Sequence, residues 1–297
     1  MSGCGSGPSG YNFYMRKFSP LRPVDYLVIG HITQDITSSG PVLGGTAAYA
    51  ALTAQNFGLQ VGIVTSYDPD LLLPELEGIP ISARFSNTVT TFKNTQIDSG
   101  RVQHVYHPAL SIDLSIVPEI WLKSPIVHLG PVLQEVDPKL AKVFDRSFIG
   151  VTPQGWLRGT DANGKVGYTD WLEARFVLEA VNAAVLSIED VLGDERIIDD
   201  LASSIRVLAV TEGAGGVRLY WNGDVRTFRA PLLGELDSTG AGDIFATAFF
   251  IRLHQTHNPW EAARFANLLA ANSVTRCGLD SIPTPDEIKF GLVEILS

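Results

Sequence analysis

The chain has 297 residues, of which 45 % are hydrophobic, and a formal net charge of −10. That length suits one large α/β domain or two small ones, and the apolar fraction suits a substantial core. The acidic balance excludes a broad nucleic-acid or anionic-membrane surface, and the longest apolar runs are cut by charges such as Arg252 before they reach a membrane span.

In chain order, Met1 to Gly10 is rich in Gly and Ser and lacks the apolar core of a signal peptide, so residues 1–20 are expected to be a disordered tail and 21–297 the folded domain. Cys4 sits in that tail and Cys277 far from it, which argues against a structural disulfide and for a cytoplasmic, reducing setting. Val24 to Gly30 reads as a buried first strand. A small-residue helix is expected over 46–57, opened by Gly44-Gly45-Thr46 and closed by Gly58, followed by a strand from Gln60 to Ser66. Further strands are expected near 125–129, 147–152, 182–187 and 205–211. Strand and helix alternating in this way predict a mostly parallel sheet with helices on both faces. Two segments break the pattern. Ile32 to Gly40 is polar and β-prone, and Thr88 to His107 reads as two strands around Asp98-Ser99-Gly100, which is either a small β-flap or an ordinary edge hairpin. A hairpin around Asn222-Gly223, helices near 241–255 and 259–276, and a short last helix after Pro285 complete the chain.

The stretch richest in chemistry is Asp237-Ser238-Thr239-Gly240-Ala241-Gly242-Asp243, followed at once by an apolar helical run. A helix start leaves backbone N–H groups unpaired and partly positive, and small residues let an anion approach them. Asp243 is the candidate general base, and Gly240, Ala241, Gly242 and Asp243 supply the candidate anion-binding N–H groups. The same letters also fit a plain helix cap, with Ser238 or Thr239 capping and the glycines turning. Asp237 fits three roles: capping the loop, orienting a metal-bound water, or shaping a cation site.

Three more clusters lie at the ends of expected strands, where ligands bind in open α/β sheets. Thr211-Glu212-Gly213-Ala214-Gly215-Gly216 offers a hydroxyl and bare backbone to phosphates or ribose, or is simply a turn. In Ser187-Ile188-Glu189-Asp190 the carboxylates Glu189 and Asp190 suit Mg²⁺ held mainly through water and phosphates, or form an ordinary capped first turn. Asp35, with Gly44 and Gly45, suits a pair of sugar hydroxyls lying against backbone, or is a solvated loop carboxylate. His104 with His107 and His254 with His257 find no further Cys or His to complete a zinc set. The chain has neither a P-loop nor a Gly-x-Ser-x-Gly elbow.

These four clusters, in this order and spacing, resemble the ribokinase-like (PfkB-type) carbohydrate kinases over roughly residues 24–290, most specifically at 237–245. The resemblance implies a doubly wound, mostly parallel sheet flanked by helices, with a small β-sheet lid from segments about 32–44 and 88–107. It implies ATP and Mg²⁺, with a monovalent cation as a further family cofactor. Asp243 becomes the base and the 240–243 backbone the anion hole. Thr211, Gly213, Gly216, Ser187 and Asn272 would meet the nucleotide. Asp35, Gly44, Gly45, Arg101 and Gln154 would meet the acceptor, and Glu189 and Asp190 the metal. A homodimer through the lid is also implied.

The chain departs from the family where acceptors are chosen. Tyr49 stands where the family often has Asn, Ser66-Tyr67-Asp68-Pro69-Asp70 replaces Gly-Asp-Asp-x-x-Gly, and Ser187-Ile188-Glu189-Asp190 replaces Asn-x-x-Glu. With Thr152-Pro153-Gln154-Gly155-Trp156-Leu157-Arg158, these changes are similar to the myo-inositol-kinase-like branch. The leading expectation is ATP-dependent phosphorylation of a hydroxyl on a small sugar, polyol or cyclitol. A nucleoside kinase, or a non-catalytic binding protein on the same fold, are the alternatives.

Overall fold

The computed structural model describes residues 21–97 and 100–296, so the expectations for 1–20 and for the turn residues Asp98 and Ser99 lie outside the described residues. Strand β1 is Tyr26–Ile29, with all four side chains enclosed. Tyr26 and Val28 enter the core on one face of the sheet and Leu27 and Ile29 the core on the other. A strand covered on both faces needs an unbroken apolar run, which is what this segment has.

From β1 the chain runs out to a small sheet through β2 (Thr33–Thr37) and β3 (Gly40–Gly44), and returns through α1 (Thr46–Asn56) to β4 (Val61–Tyr67) and β5 (Ile81–Phe85). Strands β6 (Thr90–Ile97) and β7 (Gly100–Tyr106) complete the small sheet. The chain then lays down β8 (Ile126–Leu129), β9 (Phe148–Val151), a short hairpin β10 (Arg158–Thr160) and β11 (Val166–Tyr168), α2 (Ala174–Leu178) and β12 (Ala183–Ser187). It continues with α3 (Glu195–Ser203), β13 (Val207–Thr211), the hairpin β14 (Val217–Trp221) and β15 (Asp224–Phe228), and helices α4 (Ala241–Thr256), α5 (Pro259–Ser273) and α6 (Pro285–Leu296).

The large sheet has the order β15-β14-β13-β12-β9-β8-β1-β4-β5. Every neighbouring pair from β13 to β5 is parallel, and β14 and β15 add antiparallel strands at one edge. The chain winds outward from β1 in one direction through β4 and in the other through β8, which makes β1/β8 the switch point where ligands are expected. Both strands end in glycine there, Gly30 and Gly130, and a side chain on Gly30 would run into the Gly130 carbonyl.

Helices α1, α4 and α5 cover one face. Gly150 on β9 leaves the room that the Phe250 ring of α4 occupies. The alanines of α1, Ala47, Ala50, Ala51 and Ala54, are fully buried, so this helix packs closely on the sheet. The other face is covered by Trp121, Phe144, Trp156 and the helices α2 and α3. Regular helix does not alternate with strand throughout: between β8 and β9 the crossover is one 3₁₀ turn, Pro138–Lys142, capped by the Asp137 side chain on the Lys139 amide. The helix after Pro285 is longer than expected, at 12 residues.

The small sheet has the order β3-β2-β6-β7, with β2 and β6 parallel and the outer pairs antiparallel. The hairpin β10–β11, which sequence reading did not single out, is fastened to it. The Val105 amide donates to the Gly164 carbonyl at 2.9 Å, and His104 bridges to Lys165.

Candidate active site

The carboxyl ends of β9, β12 and β13, the start of α4 and the inner side of the small sheet enclose one cleft of about 970 Å³. Two helix starts meet at its floor. Gly240 caps α4 in the left-handed region (φ 79°), and Gly45 caps α1 with φ 87°. Neither position suits a side chain: one on Gly240 would run into the Tyr49 ring, and one on Gly45 would meet the His31 carbonyl and Thr33. These glycines therefore let α1 and α4 bring their unpaired N–H groups to one point.

Asp243 stands in the first turn of α4 and lines this floor. Burial pushes its carboxyl up to about 6, and the carboxylates of Asp190 and Asp35 push the same way. A hydrogen bond from the Thr46 side chain and the Arg158 guanidinium pull against that shift. The result is a carboxylate near neutrality, ionised at pH 7.5 yet more basic than an ordinary aspartate. The backbone carbonyl of Asp243 accepts from the Thr247 hydroxyl at 2.8 Å, the ordinary back-bond of a helical threonine. Beneath the cleft, His128 lies between the Tyr26 hydroxyl at 2.9 Å and the Thr152 hydroxyl at 3.0 Å. Burial lowers the His128 pKa to about 3, so this floor is held by a neutral imidazole.

Most residues expected in the site line the cleft. They are Gly240, Ala241, Gly242 and Asp243; Thr211, Gly213, Gly216 and Ser187; Asp35, Gly45 and Gln154; and Glu189 and Asp190. Gly44 does not line it, but leaves the room in which the Asp35 carboxylate lies. Arg101 is a residue of β7 whose side chain lies outside the described residues. Asn272 is a residue of α5 outside the cleft lining. The face of α5 turned to the cleft carries Asn267, Ala270, Ala271 and Val274, and Asn272 is not on it. Asp237 takes the first of its three roles: its carboxylate accepts from the Thr239 amide at 2.9 Å and the Gly278 amide at 3.0 Å, pinning the loop that leads into α4.

Sequence reasoning missed Thr46, Gln103, Arg158, Lys165 and Tyr168, all of which line the cleft. Tyr49, noticed only as a departure, lines it too; burial, with Asp243, Asp237 and Asp35 around it, raises its hydroxyl pKa. The turn signal Asp161-Ala162-Asn163-Gly164 marked the hairpin that brings Arg158, Lys165 and Tyr168.

The remaining groups bear on cofactors. Ser187 and Asp190 form a reciprocal capping box, and Asp190 also accepts from the Gln154 amide at 3.2 Å. Burial raises the pKa of Asp190, whereas Glu189 beside it is exposed at the cleft edge. A pair of carboxylates facing an open cleft fits Mg²⁺ bound largely through water and phosphate. Among the described residues no three His, Cys, Asp or Glu side chains are gathered for a metal. The amides of Thr239 and Gly278 each take one acceptor position on the Asp237 carboxylate, one per oxygen. Ala230, Pro231, Leu233, Ala270, Ala271 and Val274 supply apolar lining to the same cleft as Thr211 and Gly213.

Residues 185–286 match the model of the pfkB family carbohydrate kinases. The chain is 18 % identical to a pyrophosphate-dependent kinase of the ribokinase family solved with a pyrophosphate analog and myo-inositol, with a TM-score of 0.72 over 89 % of this chain and 99 % of that one. The chain has the ribokinase-like fold and carries a PfkB-type segment. A second ribokinase-like structure, Arabidopsis thaliana ribokinase with ribose and ATP, is 16 % identical with a TM-score of 0.69, over 91 % of this chain and 99 % of that one. In sequence, 78 residues are 38 % identical to inositol 3-kinase of Oryza sativa subsp. japonica, covering 26 % of this chain and 19 % of that protein. The PfkB-type segment contains the end of β12, then β13, the loop at 237–243 and both helices α4 and α5, which is the half of the cleft holding Asp243. No helix among the described residues is long and apolar enough to cross a membrane.

Proposed function

We propose that this protein transfers a phosphoryl group from ATP to a hydroxyl of a small sugar, polyol or cyclitol. The observation that carries the reading is Asp243 in the first turn of α4, its basicity raised toward neutrality, beside the N–H groups of Gly240 and Gly242 at the helix start, where the Ala241 amide turns back to the Ser238 carbonyl at 3.2 Å. The acceptor hydroxyl lies between Asp35 and Asp243. Its oxygen attacks the terminal phosphorus as its proton passes to the Asp243 carboxylate. The bond from that phosphorus to the bridging oxygen breaks, leaving ADP and a phosphomonoester. The N–H groups of residues 240–243 hold the charge that builds on the phosphoryl oxygens. Thr211, Gly213, Gly216 and Ser187 meet the nucleotide, and the apolar lining takes its base. Mg²⁺ at Glu189 and Asp190 would neutralise donor phosphate charge.

The small sheet β3-β2-β6-β7 acts as the lid over the acceptor in this reading. The likeness to myo-inositol kinases, together with Tyr49 and the segment 152–158, favours a cyclitol over a furanose. A screen of phosphate release and donor consumption tests this. Its arms are sugars, cyclitols and nucleosides, each with ATP and with pyrophosphate. Turnover with a cyclitol or polyol is the expected result. Turnover confined to nucleosides moves the protein to the alternative class, and nucleotide binding with no turnover on any acceptor makes it a binding protein. The cytoplasmic setting and the lid-mediated homodimer belong to the same proposal. Ile36 and Val42 leave apolar side chains exposed on the lid strands β2 and β3. Light scattering on the purified protein is expected to give twice the 32.1 kDa chain mass, and a monomer at micromolar concentration rejects the dimer.

A further inference from the structure

The charge of the cleft poses a problem for any phosphate donor. Six carboxylates line it, Asp35, Glu189, Asp190, Glu212, Glu235 and Asp243, of which Glu212 is ion-paired with Arg218 from outside the lining. Among the described residues only two cationic side chains do, Arg158 and Lys165, and both come from the hairpin β10–β11. An anionic donor entering such a site meets strong repulsion unless fixed positive charge stands where its phosphates lie.

The backbone that carries Arg158 is held from several sides. The Gln134 side-chain amide donates to the carbonyls of Trp156 at 2.8 Å and Arg158 at 3.0 Å. Trp156 is fully buried and stacks on Trp171 at 5.1 Å. Gly155 passes so close to the backbone of Pro131 and Val132 that no side chain fits between them. The Thr169 amide closes the hairpin base on the Leu157 carbonyl at 2.9 Å. The guanidinium on this support lies within electrostatic reach of both Asp190 and Asp243, the carboxylates on either side of the proposed transfer point. A planar, permanently charged fork can take two oxygens of a phosphate at once, which a point charge cannot.

We propose that Arg158 binds the phosphate groups of the donor and holds the transferring one between the start of α4 and Glu189. This rests on the phosphotransferase reading above and adds to it a residue and a ligand class. The hairpin also touches the lid, at Val105 with Gly164 and His104 with Lys165. The cation that receives the donor is thus mounted on the element that the acceptor lid grips.

Calorimetric binding at pH 8 separates this role from a structural ion pair with Asp190. Three titrants are used: Mg·ATP, pyrophosphate with Mg²⁺, and adenosine, which keeps the base but has no phosphate. R158Q is expected to weaken binding of ATP or pyrophosphate ~30-fold or more and to change adenosine by less than about 3-fold, because only the phosphates lose a charged partner. R158K, which keeps the charge without the fork, is expected to lose about 5-fold, and it decides the matter if R158Q fails to fold. Unchanged phosphate affinity in either folded variant, or equal losses for ATP and adenosine, overturns the assignment of Arg158. Wild-type protein that binds neither ATP nor pyrophosphate overturns the phosphotransferase reading itself, and this assignment with it.

Discussion

Replacing Asp243 by asparagine is expected to lower turnover by at least ~100-fold while leaving the fold intact, because asparagine keeps the shape of the side chain but takes no proton. The pH dependence follows from the same group. Only the ionised carboxylate accepts a proton, and its pKa is raised to about 6. The kcat/KM of the wild type for its acceptor should therefore rise tenfold per pH unit below about 6 and level off above it. The sign for stability is the reverse. A carboxyl whose pKa is higher in the folded chain than in the unfolded one binds its proton more tightly when folded. Ionised Asp243 thus destabilises the fold at pH 8, a cost that fades as pH falls through 6 and is gone below the ordinary carboxyl value of 3.8. Asp243→Asn should melt no lower than wild type at pH 8, and the two should converge near pH 4. Calorimetric melting at both pH values, alongside initial rates, checks this. A variant that is inactive because it is unfolded at pH 8 would remove the support for Asp243 as a base.

Gly240 should be nearly as sensitive, for a geometric reason. Its φ of 79° lies where a side chain is strained, and a β-carbon there would meet the Tyr49 ring. Gly240→Ala therefore carries about 1–2 kcal/mol of backbone strain and must push either Tyr49 or the first turn of α4 aside. A shift on the order of 1 Å in those N–H groups is worth about 100-fold in rate. Gly240→Ala should accordingly lose ~100-fold in kcat with a modest fall in melting temperature. Adding Tyr49→Ala should return part of the activity, since it removes the ring that the new methyl strikes. Steady-state kinetics on the single and double variants measures that coupling. An active Gly240→Ala, or a double variant no better than the single, would show that the position of this turn does not govern the reaction.

The parts of this protein that were legible in the sequence are those whose physics is local. The strands of the large sheet are short apolar runs, because parallel strands are covered on both faces. The start of α4 announces itself through Gly240 and Gly242 around one alanine, since small residues let a ligand approach its backbone closely. β5 was missed because an edge strand with Ser82 and Arg84 at alternate positions carries little apolar signal. The hairpin β10–β11 was missed because each strand has only three residues and gains its place by gripping β7. Asn272 lies off the cleft lining because of helix phase. The cleft face of α5 repeats as 267, 270, 271 and 274, the three-and-four spacing of a helix, and 272 falls about 100° from its neighbour at 271. Arg158 carries no local signal, because its meaning depends on Asp190 and Asp243, which come near it only in the folded chain.

The most direct measurement of the central claim is ³¹P NMR of the purified protein with Mg²⁺, ATP and myo-inositol, run in parallel with Asp243→Asn. The predicted result is a new phosphomonoester resonance growing in step with ADP in the wild-type sample and absent from the variant. ADP and free phosphate with no phosphomonoester, or a product formed equally fast by Asp243→Asn, would contradict the account.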